Sequence, residues 1–515
     1  MSYSACALVR LIACLLPLSI ASVTQAQQPP VSAIPPATNT PLAFSGANIV
    51  SAQLAQPVLN ASVLVKNGRI VALQPADAAI PAEYQHLDVS GKWLLPGLID
   101  GHVHLAQSGG AFTRPDIIAA EAVLPYQQDQ LQLAIALPQL LQTYVMLGVT
   151  AVFDMGGPAA RLPLYQQLSQ NPTMPAIYAA AQLLAPMAVP PLSPHDGATF
   201  SQATSAAQAL ALTTAQLQQP AAVLKLVWSH ETGLNSEQLT LLYADAIAQA
   251  KAHGRVVAVH VEELAAAKAA MIAGADILVH GVVTEPLDAE FIQLALKHQV
   301  SYMPTLSAYQ HYKEIFLQRL SFSQLEQQMA DPGVLASFAL LKQHSTKTGQ
   351  LFQLLSHYSQ FIDAPATSLA QLSAEEQDIV AQLSRLFSNV SSNIQQQNLL
   401  QALAGGLNVA FGTDAGNPGT LHGLAIIREM QAWRDAGASN SQIFRAMTLG
   451  NARALRLDTT IGSISVGKQA NFIILPQNPL AADYRFALPE RVVQHGQLVN
   501  FTTADHVVTN SKEAL

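Results

Sequence analysis

Pro96-Gly97-Leu98-Ile99-Asp100-Gly101-His102-Val103-His104 is the stretch on which the fold turns. An apolar run leads into two histidines separated by one residue. In an extended strand, residues two apart project to the same side, so both imidazoles can face one ion. Taken alone, the pair also reads as two hydrogen-bonded interior histidines. The positions of the other ligand-type residues decide between these readings.

Eight strand-like apolar runs are spread along the chain: Leu94 to Asp100, Val149 to Phe153, Ala176 to Ala180, Val223 to Val227, Val256 to Val259, Ile277 to Val279, Val300 to Pro304 and Val409 to Gly412. Helical patterns alternate with them, which predicts parallel strands joined by helices. Eight such units predict a closed α/β fold, the (β/α)8 TIM barrel. An open doubly wound sheet would more often carry a Gly-rich phosphate loop, and none is found. Barrel active sites lie at the C-terminal ends of the strands. There stand His102 and His104, His260 after Val256-Val257-Ala258-Val259, His280 after Ile277-Leu278-Val279, and Asp414 in Phe411-Gly412-Thr413-Asp414. Ligand types at separate strand ends point to shared metal ligation rather than core filling. Lys225 interrupts the apolar run Val223-Leu224-Lys225-Leu226-Val227. Burying it unpaired is costly, and an ion pair or a snorkelling stem also accounts for it. A protonated amine does not ligate a cation.

Outside this core, Ala47 to Ser51, Ala61 to Val65 and Arg69 to Leu73 read as short strands, with Asn67-Gly68 as a hairpin turn. Ser463 to Val466, Phe472 to Leu475, Arg491 to Val493 and Gln497 to Phe501 repeat the texture near the other end. These predict one small β-sandwich built from both chain ends, residues 44–93 and 458–505, with the barrel over 94–457 inserted between its halves. About a hundred residues separate the last two barrel strands, more than a loop and helix need. Residues 307–405, with Ile315, Leu320, Leu325 and Met329 in helical phase, are therefore a helical insertion at the barrel mouth. A lid, a subunit contact and a packing elaboration all suit it.

Arg10, the apolar stretch Leu11 to Ile20 and Thr24-Gln25-Ala26 compose a signal peptide over residues 1–26. A flexible leader follows over 27–43, and 506–515 form a tail. The alternatives are a lipoprotein box at Leu11-Ile12-Ala13-Cys14, disfavoured because the apolar run follows that cysteine, and a buried N-terminal helix, disfavoured by Arg10. The expected location is periplasmic or secreted, with no stable membrane insertion after processing. The two cysteines, Cys6 and Cys14, both lie in the removed segment, so the mature chain has no thiol. Half of the 515 residues are hydrophobic and 11% are charged, enough apolar content for a substantial core. A net charge of −8 offers no basic stripe for nucleic acid, and a small-molecule partner is expected, with a homo-oligomer possible.

With these residues in view, the chain resembles the amidohydrolase superfamily, in particular its imidazolonepropionase-like and Xaa-Pro-dipeptidase-like branch. The likeness spans nearly the whole mature chain. It includes the Pro96 to His104 entry, Gly148-Val149-Thr150 leading into Asp154, His260 to His280-Gly281, Gly412-Thr413-Asp414-Ala415-Gly416, Thr448 to Ala454, and Gly462-Ser463-Ile464 through Gly467-Lys468. The resemblance implies two divalent ions, with Zn expected and Mn, Co or Fe compatible. It implies that His102 and His104 hold the more buried ion with Asp414, and that His260 and His280 hold the second. Lys225, carboxylated on its amine, would bridge them. Phe153 stands where many relatives place Arg, and Asn471 where many carry Asp.

The implied reaction is hydrolysis of a C–N amide bond, in a dipeptide or a cyclic amide, by metal-activated hydroxide with Asp414 as proton shuttle. The alternatives are a single-metal cyclic amidine hydrolase or deaminase with unmodified Lys225, and a binding protein that kept the fold without activity. His230, Tyr302 and His422 are the candidates for substrate contact, while Asp154 is expected to orient a neighbour or cap a helix.

Overall fold

The computed structural model describes residues 40–53, 56–189, 192 and 198–500. The expected signal peptide, residues 27–39 of the leader and the chain from 501 onward lie outside the described residues. From the N-terminal side the strands are β1 (Leu42–Ile49), β2 (Val58–Lys66), β3 (Arg69–Pro75), β4 (Gln85–Asp88), β5 (Trp93–Pro96), β6 (Leu98–Val103), β7 (Val149–Asp154), β8 (Ala176–Ala179), β9 (Leu183–Ala185) and β10 (Phe200–Gln202). They continue with β11 (Val223–Val227), β12 (Val256–His260), β13 (Ile277–His280), β14 (Ser301–Pro304), β15 (Phe472–Leu475), β16 (Arg491–Gln494) and β17 (Gln497–Leu498).

Both chain ends enter one hydrogen-bonded sheet, in the order β17-β16-β15-β5-β1-β2-β3, with β4 also pairing β1. The strand β1 changes neighbours midway: Leu42 to Ser45 pair with β4, whereas Asn48 and Ile49 pair with β5. Gly46 marks the change with a left-handed φ of 77°. The crease folds the sheet over itself. Phe44 and Phe472 lie on strands that are not neighbours, yet their rings meet edge-on at 5.0 Å. The resulting core joins Phe44, Val63 and Ile70 from one end to Phe472, Ile474 and Val493 from the other.

The strand expected over Leu94 to Asp100 divides at Gly97. Its first half, β5, pairs antiparallel with β15, and Gly97 N–H donates to the Asn471 carbonyl. Its second half, β6, opens the parallel set. A Cβ on Gly97 would stand 2.1 Å from the Thr150 hydroxyl, so only glycine passes here.

The remainder is a mixed α/β fold of the TIM-barrel type. The parallel strands fall into β6-β7-β8 and β10-β9-β11-β12-β13-β14. Single parallel bridges also link Ala180 to Val223, Tyr302 to Val409 and Val103 to Ala415. β9 and β10 are short additions that the apolar pattern does not reveal. The run expected as the eighth strand, Val409 to Gly412, forms a single isolated bridge at Val409 instead, and the Asn451 side chain explains why. Its amide donates to the carbonyls of Ile99 at 2.7 Å and Phe411 at 2.9 Å and accepts from Phe411 N–H at 2.9 Å. One side chain thus stands where ladder bonds would run.

Inside the strands, Ile99, Ala151, Phe153, Val223, Ala258, Ile277, Val279 and Met303 pack together. A larger apolar shell lies between strands and helices. Residues 307–405 carry several helices, such as Ala374–Phe387 and Asn389–Ala404. The first begins in a capping box between Ser373 and Glu376, which satisfies its leading N–H groups. Among the described residues, no helix is long and apolar enough to cross a membrane.

Candidate metal centre and its cavity

His102 Nε2, His104 Nε2 and Asp414 Oδ1 form a triangle in which all three sides are 3.2 Å. Ligands about 2.0–2.2 Å from a tetrahedral ion stand roughly 3.3–3.6 Å apart, so this triangle fits a shared divalent cation. Tautomers support the fit. The Gly156 carbonyl can only accept, and it lies 3.1 Å from His104 Nδ1. That fixes the proton on Nδ1 and leaves the Nε2 lone pair pointing at the other two ligand atoms. Asp414 Oδ1 is buried without a hydrogen-bond partner. Electron-rich atoms facing one another at buried positions call for positive charge between them.

His260, His280 and Lys225 line the same cavity, of about 560 Å³. The rings of His260 and His280 are 4.6 Å apart, and those of His102 and His280 are 5.0 Å apart. Strand alternation explains Lys225 and His260, which continue the inward phases of Val223 and of Val256 and Ala258. His280 breaks that rule. Ile277 and Val279 point inward, so an ordinary strand would turn residue 280 outward; its φ of 68° returns the imidazole to the cavity. Asp414 is likewise left-handed, with φ 61°. Each such non-glycine conformation costs on the order of 1–3 kcal/mol and persists where surrounding structure holds it.

Burial is the leading cause of the shifts at these histidines, with the Lys225 charge adding to it at each: His260 is pushed down to about 3, and His102 and His280 fall well below the ordinary value. All three are neutral and able to ligate. Lys225 is 1% exposed, its Nζ has no partner, and burial brings it down to about 7 against the opposing pull of Asp414. Neither the ion pair nor the snorkelling stem is present. Among the described residues nothing pairs with this amine, which suits a lysine meant to be modified or to meet a ligand.

Two buried carboxylates hold the ligands in place. Asp100 accepts from the Thr413 hydroxyl at 2.6 Å, Thr413 N–H at 3.1 Å and His102 N–H at 3.3 Å, tying both ligand segments together. Asp154 accepts from Leu105 N–H at 3.1 Å and Gly156 N–H at 2.9 Å, so it seats the peptide that orients His104.

The three residues expected at the substrate do not line the cavity. Tyr302 alternates with inward-facing Met303, so it points into the helix layer against Phe291, where it fills the space beside Gly281. A Cβ on Gly281 would come within 2.5 Å of the tyrosine ring. His230 Nε2 is 2.8 Å from the neighbouring Ser236 hydroxyl. His422 donates from Nε2 to the Gln107 carbonyl at 2.7 Å and accepts on Nδ1 from the Tyr144 hydroxyl at 3.0 Å.

Other residues form the wall in their place. Arg114, in the loop after β6, donates from Nε and Nη2 to Asp116 at 2.8 and 2.6 Å and from Nη1 to Asn417 at 3.1 Å. Burial opposes its charge, and Asp116 outweighs that and raises the guanidinium above its ordinary value. Tyr309 and Tyr312, one turn apart on the helix Leu306–Phe316, donate to Glu262 at 2.6 Å and Asn417 at 2.9 Å. The available signal was position: Arg114 follows the histidine pair on the catalytic face, and Asn417 follows Asp414.

The Amidohydrolase family profile matches residues 93–499, and the chain belongs to that family. Its members are hydrolases of carbon–nitrogen bonds that generally use divalent metals. The fold is similar to that of a Xaa-Pro dipeptidase with methionine bound in its active site, at a TM-score of 0.62 and 18% identity over 90% of this chain and 100% of that one. It is also similar to ochratoxinase of A. niger, at a TM-score of 0.60 and 18% identity over 89% and 95% of the two chains. At such identities the likeness speaks for the fold alone. An imidazolonepropionase of Pseudoalteromonas atlantica is 46% identical over 50 residues, a match covering 10% of this chain and only 12% of that relative.

Proposed function

We propose that this chain is an exported, metal-dependent amidohydrolase that cleaves the amide bond of a dipeptide or N-acyl amino acid. The observation that carries the reading is the triangle of His102, His104 and Asp414 at one end of the parallel strands. His102, His104 and Asp414 would hold one divalent ion, and His260 and His280 a second. Lys225 would bridge them after its neutral amine adds to carbon dioxide, forming an N–C bond and releasing one proton. Zinc suits this mixture of nitrogen and oxygen ligands. Bound divalent ions supply a lowered pKa for water and polarisation of the scissile carbonyl.

The protein's own groups do the rest. Asp414 takes the proton of the attacking water and returns it to the leaving nitrogen. Gly156 keeps His104 in its ligating tautomer, and Asp100 holds Asp414 opposite the histidines. Arg114, with two edges held by Asp116 and Asn417, keeps an Nη2–H for a substrate carboxylate. That favours an amino-acid amide over an uncharged cyclic one.

A single-ion hydrolase with unmodified Lys225 is the second reading. It is favoured by one observation: among the described residues, His102, His104 and Asp414 are the one group of three or more His, Asp or Glu whose ligand atoms lie within 4.8 Å of one another. Metal analysis of the purified protein decides between one and two ions per chain. Screening dipeptides, N-acyl amino acids and lactams with the metallated enzyme tests the substrate class. Hydrolysis of lactams alone would refute the assignment of Arg114. Export is tested by cell fractionation and N-terminal sequencing, with a mature start near Gln27 expected.

A further inference from the structure

Thr305 occupies the N-cap position of the helix Leu306–Phe316, yet its side chain makes no cap bond there. A threonine at that position ordinarily accepts from the second or third N–H of its own helix. Here the hydroxyl lies 2.9 Å from Nδ1 of His280. The free helix N–H groups are satisfied from elsewhere. Glu429, on the helix Ala425–Ala436, accepts from Leu306 N–H at 2.9 Å and from Ser307 N–H at 2.7 Å, one on each carboxylate oxygen. The Trp433 indole donates a third bond at 2.9 Å.

Glu429 and Thr305 are both fully buried. Placing a carboxylate in a dry interior is costly, and a threonine already stands where it could cap the helix. The arrangement makes sense if the threonine hydroxyl is required elsewhere. The same helix carries Tyr309 to Glu262, two residues beyond His260, and Tyr312 to Asn417, which donates to the Asp414 carbonyl at 3.2 Å. Its first two turns therefore reach three of the strand ends that surround the cavity.

We propose that Glu429 and Thr305 work as an exchanged cap: the distant carboxylate satisfies the helix start so that the threonine hydroxyl is free to hold His280 with Nε2 toward the cavity. Both are positioning residues. The inference rests on the reading that His280 holds the second ion. Without Glu429, the Leu306 and Ser307 N–H groups lose their acceptor and compete for the Thr305 hydroxyl, and His280 Nδ1 loses its partner.

The exchange predicts non-additivity, which two independent structural roles would not produce. The affinity of the more weakly held Zn²⁺ is measured by competition with a chromogenic chelator for wild type, Thr305→Val, Thr305→Ser, Glu429→Ala and the Thr305→Val/Glu429→Ala double variant. The single Val and Ala variants are each expected to lose about 10–100-fold in affinity. The double variant should lose no more than the larger single loss, and Thr305→Ser should stay near wild type. Losses that multiply in the double variant, or wild-type affinity in Thr305→Val, overturn the proposal. If Glu429→Ala does not fold, Glu429→Gln carries the same comparison, since it keeps the shape and loses one acceptor. A wild-type chain holding a single ion would sink the two-ion reading and this proposal together; two ions in wild type with multiplying losses would sink this proposal alone.

Discussion

The floor and the wall of the cavity are built on different principles. The floor consists of strand ends: His102, His104, Lys225, His260, His280 and Asp414 are placed mainly by backbone register and backed by buried carboxylates. One wall, opposite the apolar side of Leu183, Met187 and Phe200, consists of Arg114, Asp116, Tyr309, Tyr312 and Asn417, drawn from two loops and a helix that hold one another through side-chain hydrogen bonds. A floor made this way fixes chemistry, because its ligand atoms cannot shift without moving the sheet. A wall made this way can change its substrate through a few substitutions and leave the sheet alone.

The comparison is broken most severely at Asp414. Asp414→Asn should lower kcat by about 10³–10⁴-fold, combining lost proton transfer with a weakened ligand, as measured on protein reloaded with metal. Near-normal turnover would remove Asp414 from the chemistry.

Lys225 tests the floor through stability. In metal-free protein, burial holds its amine at about 7, while the unfolded chain protonates it up to an ordinary 10.5. The unfolded state therefore binds one more proton between those values, so this lysine makes stability rise as pH climbs from about 7 to 10.5 and contributes no slope below 7. Lys225→Met should abolish that rise in urea titrations of metal-free protein. An unchanged pH dependence would mean that the amine is not desolvated.

Arg114 tests the wall. Arg114→Lys keeps a charge beside Asp116 but loses the fork, and should raise KM for carboxylate-bearing substrates by about 10–100-fold at nearly constant kcat. Equal losses in kcat would instead assign Arg114 to the floor. The smallest effect belongs to Tyr302→Phe. It removes a buried hydroxyl in the helix layer, so stability should fall by about 1 kcal/mol without a change in KM. A raised KM would restore Tyr302 to the substrate's path.

The same contrast explains what could be read from the sequence. Alternation within one strand placed Lys225 and His260, and the H-x-H spacing placed His102 and His104, because these are local periodicities. The inward turn of His280 depends on a left-handed φ held by its surroundings, which no alternation rule contains. Tyr302 and His422 sat near the right strand ends but on the wrong side of the backbone. Arg114 and Tyr309 become neighbours of the centre only through loop paths set by tertiary packing. Asn451 replaces a strand ladder with one side chain, so the expected eighth strand lost its regular pairing without any change in its own apolar residues. Glu429 did leave a trace: it shares the helix face of Ile426, Met430 and Trp433, where an apolar residue is expected.

The junction at Gly97 has a consequence for how the protein comes into being. β5 leads directly into the strand that carries His102, yet its antiparallel partner, β15, follows it only hundreds of residues later in the chain. Contacts so distant in sequence carry a large loop-closure cost and slow the search for the native state. The support beneath the histidine pair is thus completed late, and a chain truncated before Phe472 would present the ligand motif on a strand that lacks its anchor.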